Sequence, residues 1–184
     1  MKLAGKTAII TGGGGGIGRA VSLRYAQEGA RCVVADMQLS LAEAVVKEIK
    51  SAGGSALAIS MDVTKQVDID QTIQAAVAAF GQVDILFNNA AIFEMAPLLE
   101  SSRESYDRLF DINVKGMFFV MQAVAAHMVE KGIQGKIVNL SSQAGRRGEA
   151  LVALQPRRLF TVILNQQHWR WRHTISISMA LRPE

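Results

Sequence analysis

The chain has one cysteine and no long apolar run. Cys32 is the only cysteine among 184 residues, so an intrachain disulfide is impossible and nothing indicates an oxidising compartment. The most apolar stretch, 117–129, is interrupted by Gln122 and His127 and falls short of the roughly 18 apolar residues that suggest a membrane span. The first ten residues contain too short an apolar stretch for a signal peptide. We therefore expect a soluble, cytoplasmic protein with no membrane partner.

The main part of the chain also lacks net charge. Residues 1–150 contain 15 Lys and Arg and 15 Asp and Glu, so the whole net charge of +4 comes from the residues that follow. Those residues include five arginines, both tryptophans and two of the three histidines. The overall charge therefore describes the C-terminal tail and not the main domain.

What the chain does have is an alternation of short β-branched runs with longer amphipathic segments. This pattern predicts strands at 7–11, 31–36, 56–61, 83–87 and 136–140, and helices at 17–27, 40–51, 67–80 and 104–130. Gly29, Gly53 and Gly81 follow three of these helices, where a left-handed cap is favoured, and Ser101 or Ser102 begins the last helix. Residues 1–152 are thus predicted to form an α/β domain, a Rossmann-type doubly wound parallel sheet that binds a dinucleotide.

After Val152 the pattern fails. Residues 159–164 are a candidate strand and Ile175, Ile177 and Met179 alternate with polar residues, but no helix long enough to cross back over the sheet is evident. We therefore expect 153–184 to be a separate tail. The sheet would then be incomplete after its fifth strand, which would have an uncovered edge.

Five consecutive glycines, residues 12–16, lie where the first strand turns into the first helix. Gly12 allows a sharp turn, Gly16 lets the backbone approach a pyrophosphate, and Gly18 lets the helix pack closely on the strand; Ile17 lies between them. The N–H groups at the helix start would face the phosphates. A flexible turn is the alternative interpretation.

Acidic residues end the second and third predicted strands. Asp36 can accept hydrogen bonds from an adenosine ribose and repel a 2′-phosphate, which favours NAD over NADP; alternatively it is a strand-end Asp in a turn. Asp62 and Val63 can meet the adenine edge, although Asp62 also suits a helix N-terminus. Arg19 could serve a phosphorylated cofactor but is more simply a solvated helix residue.

These residues resemble the short-chain dehydrogenase/reductase family over positions 3–152. The matching motifs are Thr11-Gly12-x-x-x-Gly16-Ile17-Gly18, Asp62-Val63, Asn88-Asn89-Ala90-Ala91, Asn113-Val114 and Ile137-Val138-Asn139-Leu140-Ser141-Ser142. Residues 103–108 and 142–151 further resemble the bacterial sorbitol (polyol) dehydrogenase branch. The resemblance implies an NAD-dependent oxidoreductase that oxidises a polyol or secondary alcohol to a ketone.

The resemblance also implies roles for single residues. Asn89 and Ala90 would support the central strand beside the cofactor, and Asn113 would anchor a proton-relay water. Ser142, or Ser141 in the neighbouring register, would hydrogen-bond the reacting oxygen. A buried amide that satisfies backbone groups is the structural alternative for Asn89 and Asn113, and a strand-end cap is the alternative for Ser142.

Phe93 and Glu149 are candidates for the substrate pocket, and no metal ligands are assigned. Family members are usually dimers or tetramers, and the helix at 104–130 resembles a partner-facing element. Its companion helix would fall after Val152, where the pattern fails, so the resemblance does not extend to the homo-oligomer.

The family's chemistry also requires a tyrosine with a lysine four residues later. The tyrosine is expected about thirteen residues beyond Ser142, where Gln155 stands, with Leu159 four residues later. A phenol with a pKa near ~10 is a poor base at neutral pH unless a neighbouring ammonium lowers that pKa. Because no tyrosine follows Tyr106 and no lysine follows Lys136, we expect the chain to be catalytically defective.

A change of reading frame explains the tail. Permitted codons for 154–184, read from the third base of the Leu154 codon, can spell a peptide that begins Ala-Thr-Lys, passes through Asn-Ile-Asn-Ile-Asn and ends Ile-Ala-Pro-Gly. This peptide resembles the helix, strand and turn that the family places here. We therefore hypothesise a small deletion or a sequencing error near codon 153.

Two alternatives belong to other functional classes. The chain could be a non-catalytic NAD-binding or interaction module. The Arg/Trp tail could also bind single-stranded nucleic acid, since aromatic residues between cations can stack with bases. An out-of-frame peptide explains that composition more simply, so we expect no nucleic-acid partner.

Overall fold

The structure, a computed structural model, describes residues 1–141 and the backbone of residues 175–181. Its strands are β1 (Thr7–Thr11), β2 (Arg31–Asp36), β3 (Ser55–Ser60), β4 (Ile85–Asn88), β5 (Gly135–Ser141) and β6 (Ile175–Leu181). Its α-helices are α1 (Gly16–Gln27), α2 (Leu39–Ser51), α3 (Gln66–Phe80), α4 (Arg103–Phe110) and α5 (Met117–Glu130). A 3₁₀ turn at Leu98–Glu100 precedes α4, and a π-helical segment, Asp111–Gly116, joins α4 to α5.

The strands form one parallel sheet in the order β3-β2-β1-β4-β5-β6. β1 is buried along its whole length and pairs with β2 on one side and β4 on the other. The order of the strands reverses there, which is where ligands bind in open α/β sheets. The predicted Rossmann-type doubly wound parallel sheet is confirmed.

The two faces of the sheet carry separate cores. One face packs α3 and α5 through Ile69, Val120 and Val124, whereas the other packs α2 through Val45 and Ile49. Covering both faces explains why the strands are continuous apolar runs and not alternating ones. Gly29, Gly53 and Gly81 have φ values of +88°, +81° and +90°, which confirms the predicted left-handed caps.

The expectation that the sheet ends at β5 is wrong. β6 pairs with β5 in parallel, from Gly135 opposite Ile175 to Ser141 opposite Leu181. The alternation of Ile175, Ile177 and Met179 with polar residues has the period of a strand, and this segment forms β6. The candidate strand at 159–164 lies outside the described residues, and the proposed domain boundary at 152 stays a prediction.

The predicted helix at 104–130 is not one regular α-helix. The six residues of the π-helical segment interrupt it, and such segments often occur at functional sites. Gly116 closes this segment, and a Cβ there would lie 2.8 Å from Val63 Cγ2 and 3.0 Å from the Val63 carbonyl oxygen. Glycine therefore lets the helix approach the chain that leaves β3. Of the two predicted caps, Ser102 caps α4, since its hydroxyl accepts the Ser105 N–H at 3.1 Å.

One helical span in the described residues, Arg103–Glu130, has the length and apolar composition of a membrane span. It covers 28 residues with a mean hydropathy of 1.3 in its most apolar window. A core helix passes the same test, and Val120, Val124 and Met128 on this span are buried against the sheet.

Candidate functional site

The predicted site residues gather at the carboxyl ends of neighbouring strands. The glycine loop follows β1, Asp36 ends β2, and Asn88 ends β4. Because β1 lies between β2 and β4, these ends form one crevice at the point where the strand order reverses.

Three of the glycines have the geometry that the motif requires. Gly12 has a φ of +61°, and a Cβ there would lie 3.0 Å from the Ala90 Cα atom. A Cβ on Gly18 would overlap the Gly12 carbonyl oxygen, so α1 can approach β1 only with glycine at position 18. Gly16 has a φ of +47° with open space around it. Ile17 packs its half-buried side chain against the core on the α2 side.

Asn89 holds this loop in place. Its side-chain amide donates to the carbonyl oxygens of Thr11 at 3.0 Å and Gly12 at 3.1 Å. The Thr11 hydroxyl accepts the backbone N–H groups of Asn89 and Ala90, both at 3.0 Å. The end of β4 is thus fastened to the loop from both sides, and the predicted support by Asn89 acts on the loop as well as on the strand.

Sequence reasoning gave Gly13 and Gly14 no role. A Cβ on Gly13 would lie 2.9 Å from the Ile10 carbonyl oxygen and 2.9 Å from Val34 Cγ1, and one on Gly14 would lie 2.7 Å from Leu41 Cβ. Both glycines therefore permit close packing rather than an unusual φ. The uninterrupted run of glycines was the only available signal, and it does not say what each one touches.

The Asp36 carboxylate faces the glycine loop. One oxygen accepts the Gly14 N–H at 3.0 Å and the other accepts the Gln38 N–H at 3.0 Å. The bond from Gln38 forms the turn that the structural alternative describes, whereas the bond from Gly14 ties the carboxylate to the glycine loop. Arg19 pairs with Glu48 at 2.7 Å on the surface, as expected of a solvated helix residue.

Asp62 and Val63 are engaged within the protein. One Asp62 oxygen accepts the N–H and hydroxyl of Thr64 at 3.0 and 2.7 Å, and Lys65 lies 3.6 Å from the other. Burial acts to raise the pKa of the Asp62 carboxyl, but these bonds and the Lys65 ammonium outweigh it and hold the pKa below its usual range. The Val63 side chain lies in the core. A contact of either residue with adenine stays a prediction.

Asn113 lies in the π-helical segment and is 3% exposed. Its amide oxygen accepts the Ile92 N–H at 2.9 Å, and its amide nitrogen donates to the Ile92 carbonyl at 2.9 Å. The side chain therefore positions the segment after β4, as the structural alternative has it, and the anchoring of a relay water by Asn113 stays a prediction.

The buried amide of Asn88, which was given no role from the sequence, connects this segment to the sheet. The Asn88 amide nitrogen donates to the Met117 carbonyl at 2.8 Å and to Asn139 Oδ1 at 3.1 Å, while its oxygen accepts the Thr11 hydroxyl at 3.3 Å. Thr11, Asn88 and Asn139 thus link β1, β4 and β5 to the start of α5. The sequence motif contains both Asn88 and Asn89, but it predicts a role only for Asn89.

The serine candidates lie at the end of β5. Ser141 is its last residue and is 6% exposed. Ser142 and Glu149 lie outside the described residues. Phe93 is 65% exposed on the segment after β4.

The loop suits an anionic group. The first α1 hydrogen bond runs from the Arg19 N–H to the Gly15 carbonyl at 3.0 Å, so the N–H groups before it have no acceptor within the helix. The first turn of α1 contains no acidic residue that would repel a phosphate. Glycines that no side chain can replace, together with these N–H groups, fit a dinucleotide pyrophosphate. Within residues 1–141 and 175–181, no group of three or more His, Cys, Asp or Glu could hold a metal ion.

Comparison with known proteins agrees with this geometry. The family model for short chain dehydrogenases matches residues 6–154. The chain belongs to the short-chain dehydrogenase family. The sequence resemblance is thus confirmed, and the glycine loop, Asp36, Asn89 and Asn113 all lie within the matched region.

Two relatives of the chain have names that refer to polyols. It is 54% identical over 154 residues to a sorbitol dehydrogenase of Cereibacter sphaeroides and 47% identical over 154 residues to a galactitol 2-dehydrogenase of Agrobacterium fabrum. Each alignment covers 84% of this chain and 59% of the relative. The chain therefore spans about three fifths of the length of these enzymes.

Two solved structures share the fold. A short-chain type dehydrogenase/reductase from Mycobacterium marinum matches with a TM-score of 0.92 and 31% identity, covering 97% of this chain and 74% of the other. A 7α-hydroxysteroid dehydrogenase, solved with NADH and 7-oxo glycochenodeoxycholic acid, matches with a TM-score of 0.89 and 29% identity, covering 97% and 70%.

Proposed function

We propose that this chain is the dinucleotide-binding part of an NAD-dependent polyol dehydrogenase. The observation that carries the proposal is the loop after β1, which the Asn89 amide closes and which faces the Asp36 carboxylate. Gly12, Gly16, Ile17 and Gly18 would hold the pyrophosphate, and Asn89 and Ala90 would support the loop from β4. NAD, when bound, would supply the hydride acceptor.

The preference for NAD over NADP rests on Asp36. A carboxylate at the end of β2 can accept hydrogen bonds from two ribose hydroxyls, whereas a 2′-phosphate would meet a like charge. The NADH in the 7α-hydroxysteroid dehydrogenase structure supports a nicotinamide cofactor in general. Asp62 and Val63 are proposed to border the adenine.

A polyol substrate is proposed because two relatives carry the names sorbitol dehydrogenase and galactitol 2-dehydrogenase. In this role Ser142 would hold the reacting hydroxyl, and the π-helical segment around Asn113 would hold a water for proton relay. We propose a cytoplasmic location and a small-molecule substrate, with neither nucleic acid nor a membrane as a partner.

The same proposal implies that turnover is slow. The sequence has no tyrosine after Tyr106 and no lysine after Lys136, so the family's proton acceptor is absent from its expected position. Loss of a general base costs roughly 10²–10⁴ in rate. A change of reading frame near codon 153 accounts for this loss, and the end of the family match at residue 154 supports it. Genomic DNA across codons 145–190 tests the frame change. If no single insertion or deletion there restores a long open frame, or if close relatives carry the same tail in an unbroken frame, the frame change is contradicted.

Calorimetry and a rate assay test the proposal together. We expect purified chain to bind NAD more tightly than NADP, and to oxidise sorbitol and galactitol far more slowly than an intact family member. Absence of binding to either dinucleotide would overturn the proposed site. Turnover at the rate of an intact enzyme would overturn the proposed defect but not the site.

A second candidate is a non-catalytic NAD-binding module, which the missing tyrosine and lysine favour. It makes the same binding prediction but expects no turnover at all. Hydride transfer from sorbitol that stays measurable at high enzyme concentration, and that Asn89→Ala lowers in parallel with NAD binding, would favour the weakened enzyme.

A further inference from the structure

Gly14 bonds the glycine loop to the last residue of β2. The Gly14 N–H donates to one oxygen of Asp36 at 3.0 Å, and the Gln38 N–H donates to the other at 3.0 Å. Each carboxylate oxygen therefore has one backbone donor. A carboxylate oxygen accepts two hydrogen bonds, so one further acceptor position remains on each oxygen.

Position 14 has no room for a side chain. A Cβ there would lie 2.7 Å from Leu41 Cβ, 3.0 Å from the Ala42 nitrogen and 3.0 Å from Asp36 Oδ2. The loop thus lies directly against the first turn of α2, and this contact brings its N–H within reach of Asp36. The neighbouring Gly15 is different: its φ of −146° is ordinary extended backbone, and a Cβ there would meet nothing within 4 Å.

We propose that Gly14 is a specificity-determining residue of the dinucleotide site. Its N–H fixes the Asp36 carboxylate with one acceptor position open on each oxygen, which matches the two vicinal hydroxyls of the NAD ribose. The inference rests on the proposed function, because it assumes that this loop binds a dinucleotide.

The bond between the Gly14 N–H and Asp36 also disfavours the binding of NADP. A 2′-phosphate needs donors, and the backbone N–H groups of Gly14 and Gln38 are already bonded to the Asp36 carboxylate. The phosphate would therefore meet a fixed negative charge without gaining those donors. An Asp36 side chain free to rotate away would exclude the phosphate less well and would bind the ribose hydroxyls less well.

Calorimetric titration of the full chain with NAD and with NADP tests the role, comparing wild type with Gly14→Ala and with the control Ser101→Ala, which lies outside the glycine loop. In Gly14→Ala we expect NAD affinity to fall by about tenfold, the worth of one hydrogen bond to a charged group. NADP affinity should fall much less, so the preference for NAD narrows. Ser101→Ala removes only an exposed bond to the Pro97 carbonyl and should keep both affinities within about twofold.

An equal loss of both affinities in Gly14→Ala would mean that Gly14 only supports the loop, and would overturn the proposal while leaving the proposed NAD site intact. No binding of either dinucleotide to wild type would overturn the proposed function and this role with it.

A measurement without ligand covers the case in which Gly14→Ala does not fold. Amide hydrogen exchange, followed by NMR on the full chain, compares wild type with Asp36→Ala. We expect exchange at Gly14 and Gln38 to speed up by about tenfold or more when the acceptor is removed, and exchange at Gly15 to stay the same. An unchanged rate at Gly14 would overturn the proposal whatever the binding result.

Discussion

The side-chain amide of Asn89 occupies the space beside Gly18, and a Cβ on Gly18 would lie 2.8 Å from its nitrogen. Asn89 directly follows β4 and Gly18 lies in α1, and both contact Gly12 of the glycine loop. Gly18→Ala would push against this amide and overlap the Gly12 carbonyl oxygen.

We therefore expect Gly18→Ala to reduce NAD affinity by at least about tenfold and to lower the free energy of unfolding by about 1–3 kcal/mol, as overpacking does. Calorimetry and urea denaturation measure the two effects. Ser101→Ala, which removes only an exposed bond to the Pro97 carbonyl outside the loop, is the control. Equal behaviour of the two variants would show that the loop is looser than the structure indicates.

Asp84 lies at the opposite end of the central strands, before β4 and beside the start of β1. It is 2% exposed and accepts bonds from Lys6 Nζ and the Thr7 N–H, both at 2.9 Å, and from Gln82 at 2.8 Å. Burial acts to raise the pKa of the Asp84 carboxyl, but the Thr7, Lys6 and Gln82 donors outweigh it and lower the pKa. A pKa lowered by folding stabilises the protein above the unfolded pKa of about 3.9, and this stability is lost as the pH falls through the folded value.

Asp84→Asn should therefore lower the free energy of unfolding by about 1–3 kcal/mol at pH 7, with the difference from wild type shrinking in acid below about pH 4. Urea denaturation at a series of pH values measures it. Glu48→Gln, which removes only the exposed pair with Arg19, should change stability by less than about 0.5 kcal/mol. A pH-independent loss in Asp84→Asn would contradict the assigned titration.

Cys32 lies in β2 with no exposed surface, and burial raises the pKa of its thiol to about 12. Since only the thiolate reacts and an exposed thiol titrates near ~8.5, iodoacetamide at pH 8 should label the folded protein at least about a hundredfold more slowly than the chain in urea. Cys32 is the only cysteine, so mass spectrometry gives the rate without interference. Equal rates in the two conditions would mean that β2 is not packed as described.

Asn113 and Ile92 form a closed pair of hydrogen bonds, both 2.9 Å long. Asn113→Ala would leave the backbone N–H and carbonyl of Ile92 without their partner. We therefore expect the free energy of unfolding to fall by about 1–3 kcal/mol and proteolysis in the segment after β4 to become faster. Ser101→Ala, which removes an exposed bond to the Pro97 carbonyl, is the control. Cleavage at the same rate in both variants would argue against the anchoring role of Asn113.

Local patterns predicted the parts of the fold that local patterns determine. Continuous apolar runs located β1 and β2 at their observed bounds, and glycines after helices located the caps. The π-helical segment was not predicted, because the apolar pattern of 104–130 does not distinguish it from regular α-helix, and the close approach of Gly116 to Val63 is a tertiary contact.

The site shows the same limit. Glycine spacing predicted which loop approaches the cofactor, but the Gly14–Asp36 bond and the double use of the Thr11 hydroxyl join residues far apart in the chain. These bonds depend on which strands lie side by side in the sheet, and the hydrophobic periodicity of a single segment does not predict that order.

β6 is the clearest difference from the prediction, and the proposed change of frame explains why a strand persists there. An alternation such as Ile-Ser-Ile-Ser can be written by a six-base repeat, and such a repeat alternates two residues in any frame. With these codons the shifted frame alternates Asn and Ile over the same bases. A period of two with β-branched residues favours a strand in either frame, so this segment can still pair with β5 although the tail otherwise departs from the family.

Amide hydrogen exchange tests this pairing. At least alternate amides of Ile175–Leu181 should exchange about a hundredfold more slowly than in an unstructured peptide, because one edge of β6 is bonded to β5. β3 is the matched control, since within the described residues it also pairs on one side only, with β2. Protection in β3 together with unprotected amides throughout Ile175–Leu181 would mean that the sheet does end at β5, and that the alternation alone is not enough to form the sixth strand.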